Sequence, residues 1–307
     1  MNLTVHAFGV TFQNPLLLAA GTCGFGQEVA DVTDLDAVGG LVTKSVTLER
    51  REGNPPPRVA EFGGGMMNSI GLANPGLEGV RRDKLPWMKS HLRRAHVFVS
   101  VAGHSVEAFL TLVSELEGEE GFLGFELNLS CPNDTRRDGA PFALDPRAVE
   151  AVVGGARART RRPLLAKLAP NDPDPANTAR VAVAAGADGL TLVNTLPGLL
   201  LGPDSGRPAL GAGPGGVSGP ALLPVGLRAV AAVAAALEGT EAPLVGLGGV
   251  MSARDAVAYA RAGATLVAMG TASFADPRAA EKMLRGLRRW GKRKGVERWD
   301  RLVGAHG

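Results

Sequence analysis

The sequence predicts an α/β protein: a single (β/α)8 TIM barrel over residues 1–307, with an N-terminal β-hairpin and long active-site loops at the C-terminal strand ends. Three observations predict it. Eight short apolar runs alternate with helical stretches from end to end. No linker, repeat or composition break divides the chain. Its 307 residues exceed the roughly 250 that such a barrel commonly takes.

Residues 3–13 read as a hairpin ahead of the barrel. The strand candidates are 16–20, 40–46, 97–101, 121–128, 164–168, 189–193, 244–247 and 266–269, each a short apolar run with turn residues at its edges. Helical patterns fall between them at 105–117, 146–160, 174–185, 220–237, 252–261 and 277–294. Ser252 and Asp255 have the spacing of a capping motif. Asp145-Pro146 and Asp276-Pro277 read as a cap followed by a first-turn proline. Three connections, 47–85, 129–145 and 196–219, are too long for plain barrel loops. A parallel barrel forms its active site at the C-terminal strand ends, so extra length there predicts lids.

Hydrophobic content of 45%, with 42 Gly and 21 Pro, reads as globular and loop-rich. A net charge of +3 makes no case for nucleic acid. Two cysteines, Cys23 and Cys131, cannot build a disulfide framework and point to a reducing compartment. They are also too few for an iron–sulfur cluster, which needs about four thiolates. With no signal peptide and no apolar stretch near the roughly 18–20 residues of a membrane span, the expectation is a cytoplasmic protein without membrane contact. No metal is expected.

The chemistry concentrates after the apolar run 122–127, in Asn128-Leu129-Ser130-Cys131-Pro132-Asn133. Carboxamides suit the edge of a flat ring bearing imide groups, and a thiol can release a proton near neutral pH. Taken alone, the segment also fits a strand-end turn with Cys131 as a small buried hydrophobe. Lys44 and Lys167 lie in otherwise apolar strands, so each must meet an anion or reach the barrel mouth. Gly248-Gly249 and Gly270-Thr271 follow the seventh and eighth strands, where barrels often bind phosphate on glycine-loop amides. Asn68 and Asn74 sit among Met66, Met67, Ile70 and Leu72, a mixture suited to a covered ligand. Two cations, a phosphate cradle and a Cys/Asn loop in one barrel suggest a flavin with an anionic substrate.

Together these residues resemble the class 1 dihydroorotate dehydrogenases over nearly the whole chain. The resemblance is carried by Ala20-Gly21-Thr22, Lys44-Ser45, Asn68-Ser69-Ile70-Gly71-Leu72, Asn128 through Asn133, Lys167-Leu168-Ala169-Pro170, Asn194-Thr195, Ser218-Gly219-Pro220, Gly248-Gly249 and Gly270-Thr271. It implies oxidation of (S)-dihydroorotate to orotate in pyrimidine (UMP) biosynthesis, with FMN as the immediate acceptor. Cys131 would be the base at ring carbon 5, with hydride leaving carbon 6 for the flavin. Lys44, Asn68, Ile70, Gly71 and Leu72 would hold the substrate's carboxylate side, and Asn128, Asn133, Asn194 and Thr195 its ring. Gly21, Lys44, Ser45, Ser100, Asn128, Lys167, Val193, Gly219, Gly248, Gly249, Gly270 and Thr271 fall where the family holds FMN. Ser100 departs from the pattern, standing where an asparagine touching the flavin is expected. The charged stretch Asp134-Thr135-Arg136-Arg137-Asp138-Gly139 departs from the family's lid.

Within the class, the neighbourhoods of Gly24-Phe25-Gly26 and Leu77-Glu78 look closer to the NAD-linked form. That form implies a homodimer core bound to a second subunit carrying FAD and a 2Fe–2S cluster, a heterotetramer. The homodimeric, fumarate-using form is the alternative. Two rivals lie in other classes. A tRNA-dihydrouridine synthase needs a broad basic surface, and the basic run 285–294 reads better as a solvated last helix. A non-redox phosphate-binding barrel would purify colourless.

Overall fold

The computed structural model describes residues 1–130 and 141–305. The chain opens with an antiparallel hairpin, β1 (Val5–Ala7) and β2 (Val10–Phe12). It then enters the barrel at β3 (Leu16–Leu18) and β4 (Gly40–Val42). Next come β5 (Val59–Phe62), β6 (Gly65–Asn68), the short helix α1 (Gly76–Gly79), a π turn over Val80–Lys84, and α2 (Leu85–His91). The barrel resumes with β7 (His96–Val101), α3 (Val106–Glu117), β8 (Gly124–Asn128), α4 (Pro146–Arg157), β9 (Leu164–Lys167), α5 (Pro175–Ala184) and β10 (Gly189–Leu192). After β11 (Leu196–Gly198) and β12 (Gly215–Ser218) follow α6 (Leu223–Ala236), β13 (Leu244–Leu247), α7 (Ala253–Arg261), β14 (Leu266–Met269), α8 (Thr271–Ala275) and α9 (Ala279–Lys294).

Strands β3, β4, β7, β8, β9, β10, β13 and β14 pair in parallel in that order, and β14 pairs back onto β3 to close an eight-stranded barrel. This is the (β/α)8 architecture read from the sequence, with all eight strand candidates in it. Parallel strands buried on both faces need continuous apolar runs, which is why the sequence exposes them so clearly. The N-terminal hairpin plugs the bottom. Phe8 meets Phe98 edge-on at 5.4 Å. A Cβ on Gly189 would come within 2.7 Å of the Phe8 ring, so only glycine leaves room for the plug there.

The helix starts follow their caps. Ser252 and Asp255 form the reciprocal capping box expected for α7. Asp145 caps α4 by accepting from the N–H of Arg147 at 3.0 Å. Asp276 differs from expectation. Its carboxylate accepts from the Arg278 N–H at 2.9 Å, forming a turn, and the helix begins only at Ala279.

Two of the long connections are not loops. Residues from 47–85 and 196–219 supply β5, β6, β11 and β12, an antiparallel sheet in the order β11-β12-β6-β5. Met67 pairs with Val217 at its centre. The first connection also runs through α1 and the π turn into α2, although its length predicts a lid loop.

Asp36 ties the lower part of the barrel together. Its carboxylate accepts from the backbone N–H groups of Arg93, Arg94 and Ala95 at 2.9–3.1 Å, joining the approach to β4 with the approach to β7. Burial pulls this carboxyl upward, but the three amides outweigh it and hold it below the ordinary aspartate range. Its native form therefore binds protons less readily than the unfolded chain. The stabilisation is present above the unfolded pKa of about 3.9 and is lost as pH falls below it. Asp36→Ala should lower the unfolding free energy by about 1.5–3 kcal/mol in urea melts at pH 7, with a smaller difference at pH 3.

Candidate active site

Side-chain alternation and strand register build the floor of the site. Glu126 and Asn128 are two apart on β8 and share a face. Asn128 pairs with Lys167 on β9, which pairs with Thr191 on β10, so these side chains converge inside the barrel. Above them a cavity of about 590 Å³ opens at the C-terminal strand ends, roofed by the antiparallel sheet. That volume is in the range of small-molecule and cofactor sites.

A chain of hydrogen bonds fixes the polar floor. Ser100 Oγ and Ser45 Oγ are 2.8 Å apart, and Asn128 Nδ2 donates to Ser45 Oγ at 3.0 Å. Asn194 Nδ2 donates to Asn128 Oδ1 at 3.3 Å and to Ser130 Oγ at 2.9 Å. Asn194 Oδ1 accepts from the Thr195 N–H at 2.8 Å. This network fixes the amide orientations. Ser100 is fully buried, and its hydroxyl meets that of Ser45, which lines the cavity.

The roof brings in the second set. Asn68 ends β6, and its Nδ2 donates to the Gly216 carbonyl at 3.4 Å. Gly71 and Leu72 follow with φ of 70° and 55°. A left-handed leucine costs about 1–3 kcal/mol, and such strain persists where the surrounding structure imposes it, commonly at ligand sites. Asn74 serves a different end. Its side chain bonds Thr47 Oγ1, the Leu72 carbonyl and the Gly76 N–H, anchoring the loop that carries Leu72.

The opposite wall is glycine-rich. Gly219, Gly248, Gly249, Gly270 and Thr271 all line the cavity. Gly219 has φ of 86° and Gly249 of 67°; added Cβ atoms there would lie 2.9 Å from Gly65 Cα and 2.6 Å from Leu223 N. Both positions demand glycine, which leaves bare backbone facing the ligand space. Tyr259 supports this wall from behind, its buried hydroxyl donating to the Gly248 carbonyl at 2.7 Å.

Gly21, Lys44, Ser45, Asn68, Ile70, Gly71, Leu72, Asn128, Lys167, Val193, Asn194 and Thr195 join that wall around one space. Cys131 and Asn133 lie outside the described residues. Sequence reasoning missed three charged groups here. Glu126 is buried beneath Lys167, and Glu28 pairs with Lys84 at 2.8 Å beside Phe25. Glu126 carried a legible signal, a carboxylate inside an apolar strand two residues before Asn128. Glu28 and Lys84 are 56 residues apart, and nothing in the sequence joins them.

Cys23 is the other cysteine, and it is 2% exposed. Burial, with Glu28 nearby, pushes its thiol up to about 12. In a native Cys131→Ala variant at pH 8, Cys23 should take up less than about a tenth of the iodoacetamide that the urea-unfolded chain takes, because the thiolate is the reactive form. Full labelling of the native variant would contradict this burial.

Fold and cavity together define a (β/α)8-barrel protein with a ligand-sized cavity at its strand ends, lined by apolar walls and a few convergent polar groups. The family described as dihydroorotate dehydrogenase matches residues 2–290. The catalytic subunit of dihydroorotate dehydrogenase B (NAD(+)) from Desulforudis audaxviator is 44% identical over 297 residues, covering 97% of this chain and 95% of that one. Its namesake from Citrifermentans bemidjiense is 40% identical over 304 residues, covering 99% and 98%. A crystal structure of DHODH from Eimeria tenella in complex with ferulenol superposes with a TM-score of 0.83 at 21% identity, covering 99% of this chain and 88% of that one, and shows the shared fold. The chain belongs to the dihydroorotate dehydrogenase family, whose members are FMN-dependent oxidoreductases.

Proposed function

We propose that this chain is the FMN-bearing catalytic subunit of an NAD-linked dihydroorotate dehydrogenase, oxidising (S)-dihydroorotate to orotate in the synthesis of UMP. The observation that carries the reading is the meeting of Lys44, Lys167, the Asn128–Asn194 amides and a glycine wall around one cavity, in a chain of this family.

The residues present fit FMN. A phosphate needs donors and close backbone approach, which the crowded glycines Gly219 and Gly249 with Gly248, Gly270 and Thr271 offer. Ser45, Asn128 and Lys167 would hold the ring portion, and Lys167 supplies positive charge there. When bound, FMN supplies the acceptor for the hydride that leaves carbon 6 of the substrate.

The chain's own residues do the rest. Lys44 and Asn68, with the backbone of Ile70, Gly71 and Leu72, would bind the substrate carboxylate. Asn128 and Asn194, already locked in orientation by Ser45 and Ser130, present fixed donors and acceptors to the pyrimidine edge, and Thr195 and Asn133 would complete that set. Preorganised dipoles of this kind need no rearrangement when the ring flattens. Cys131 would take the proton from carbon 5 as general base. The roof sheet would limit the access of water to the bound ring.

Two facts support a partner. The NAD-linked relatives are named as catalytic subunits, and this chain has two cysteines, too few for an iron–sulfur relay. A second protein bearing FAD and the 2Fe–2S cluster would then carry electrons to NAD, docked on a homodimeric core. Met251 and Phe274 border the cavity and are 36% and 56% exposed, giving such a protein an apolar edge close to the flavin site. No helix among the described residues is long and apolar enough to cross a membrane.

A pair of variants separates binding from chemistry. Cys131→Ala should keep FMN and orotate but lose about 10²–10⁴-fold in dihydroorotate turnover, measured with a dye acceptor. Lys44→Ala should raise the orotate dissociation constant roughly 10–150-fold. A loss under about tenfold in the first, or wild-type orotate affinity in the second, contradicts these roles.

A further inference from the structure

Glu126 lies on the inner face of β8, below the ring-binding floor, and is 1% exposed. Its Oε2 accepts from Thr191 Oγ1 at 2.9 Å. Its Oε1 has no hydrogen-bond partner among the described residues and stands 3.7 Å from Lys167 Nζ. That gap is too long for a hydrogen bond and well within ion-pair range.

The arrangement is directional. The Thr191 hydroxyl fixes the carboxylate, the carboxylate faces the ammonium, and Lys167 in turn lines the cavity. A pair serving stability alone gains most by closing to hydrogen-bond distance, since an unsatisfied buried oxygen is costly. Here Oε1 meets no hydrogen-bond donor among the described residues, and the ammonium stands apart from it at the cavity lining.

We propose that Glu126 is a positioning residue that holds the Lys167 ammonium at the cavity floor and offsets part of its charge, thereby setting the relative affinity of the site for reduced and oxidised FMN. The proposal rests on the FMN reading above. Lys167 alone would favour the more negative, reduced cofactor, and Glu126 restrains that preference. Tuning of this kind keeps the cofactor able both to accept electrons and to pass them on.

The test is a dye-equilibrated spectroscopic titration of the FMN-loaded chain at pH 7. Glu126→Gln should raise the affinity ratio of reduced over oxidised FMN at least about tenfold, seen as a potential higher by about 30 mV for a two-electron couple. Lys167→Met should move it the opposite way. Glu126→Asp, which draws the carboxylate back from Lys167, should shift it in the same direction as Gln by a smaller amount and serves if the Gln variant does not fold. An FMN-loaded Gln or Asp variant that loses thermal stability yet keeps the wild-type potential would overturn the proposal, leaving Glu126 a structural partner only. A wild-type chain that binds no FMN would overturn the underlying reading first, and the proposal with it.

Discussion

An ammonium enclosed like that of Lys167, whose residue is 4% exposed, costs several kcal/mol unless opposite charge and hydrogen bonds compensate it. The barrel answers with Glu126 on the neighbouring strand, itself fixed by Thr191 on the other side. Three consecutive strands, β8 to β10, must hold their register for these groups to meet. A slip of one residue would turn each side chain to the opposite face and leave two charges against the apolar helices. The polar floor thus depends on the same pairing that closes the barrel.

From that floor upward, each layer restricts the next. Ser100 and Ser45 set the Asn128 amide, and Asn128 and Ser130 set Asn194. Ser100 joins this chain through a hydroxyl-to-hydroxyl contact with Ser45. Over this rigid base the sheet of β5, β6, β11 and β12 closes the space with Asn68 at its edge. The site joins a strand-borne floor that cannot adjust to a roof built from insertions.

The barrel was legible because buried parallel strands require apolar runs, and eight of them stand between helical patterns. The roof sheet was not. Its strands carry Gly65, Gly198, Gly215 and Gly216, residues that read as loop. They are needed for close approach: a Cβ on Gly216 would lie 1.9 Å from Thr195 Oγ1, and one on Gly65 would lie 2.1 Å from the Ser218 carbonyl. The segment of α1 and α2 was hidden for a similar reason, since it opens on Gly76 and carries Pro86 in its second helix. Most cavity residues came from the family resemblance and the strand-end asparagines. The signal of Glu126 is faint, because a single carboxylate inside the run 122–127 does not break the pattern of an apolar strand.

On this reading the cavity holds a flavin within reach of an anionic dihydropyrimidine. The most direct measurement is the visible absorption spectrum of the purified chain under anaerobic conditions, before and after dihydroorotate is added. A flavin band should bleach on addition and return with oxidant. A colourless protein that takes up no FMN, or a flavin band that dihydroorotate leaves unchanged, would contradict it.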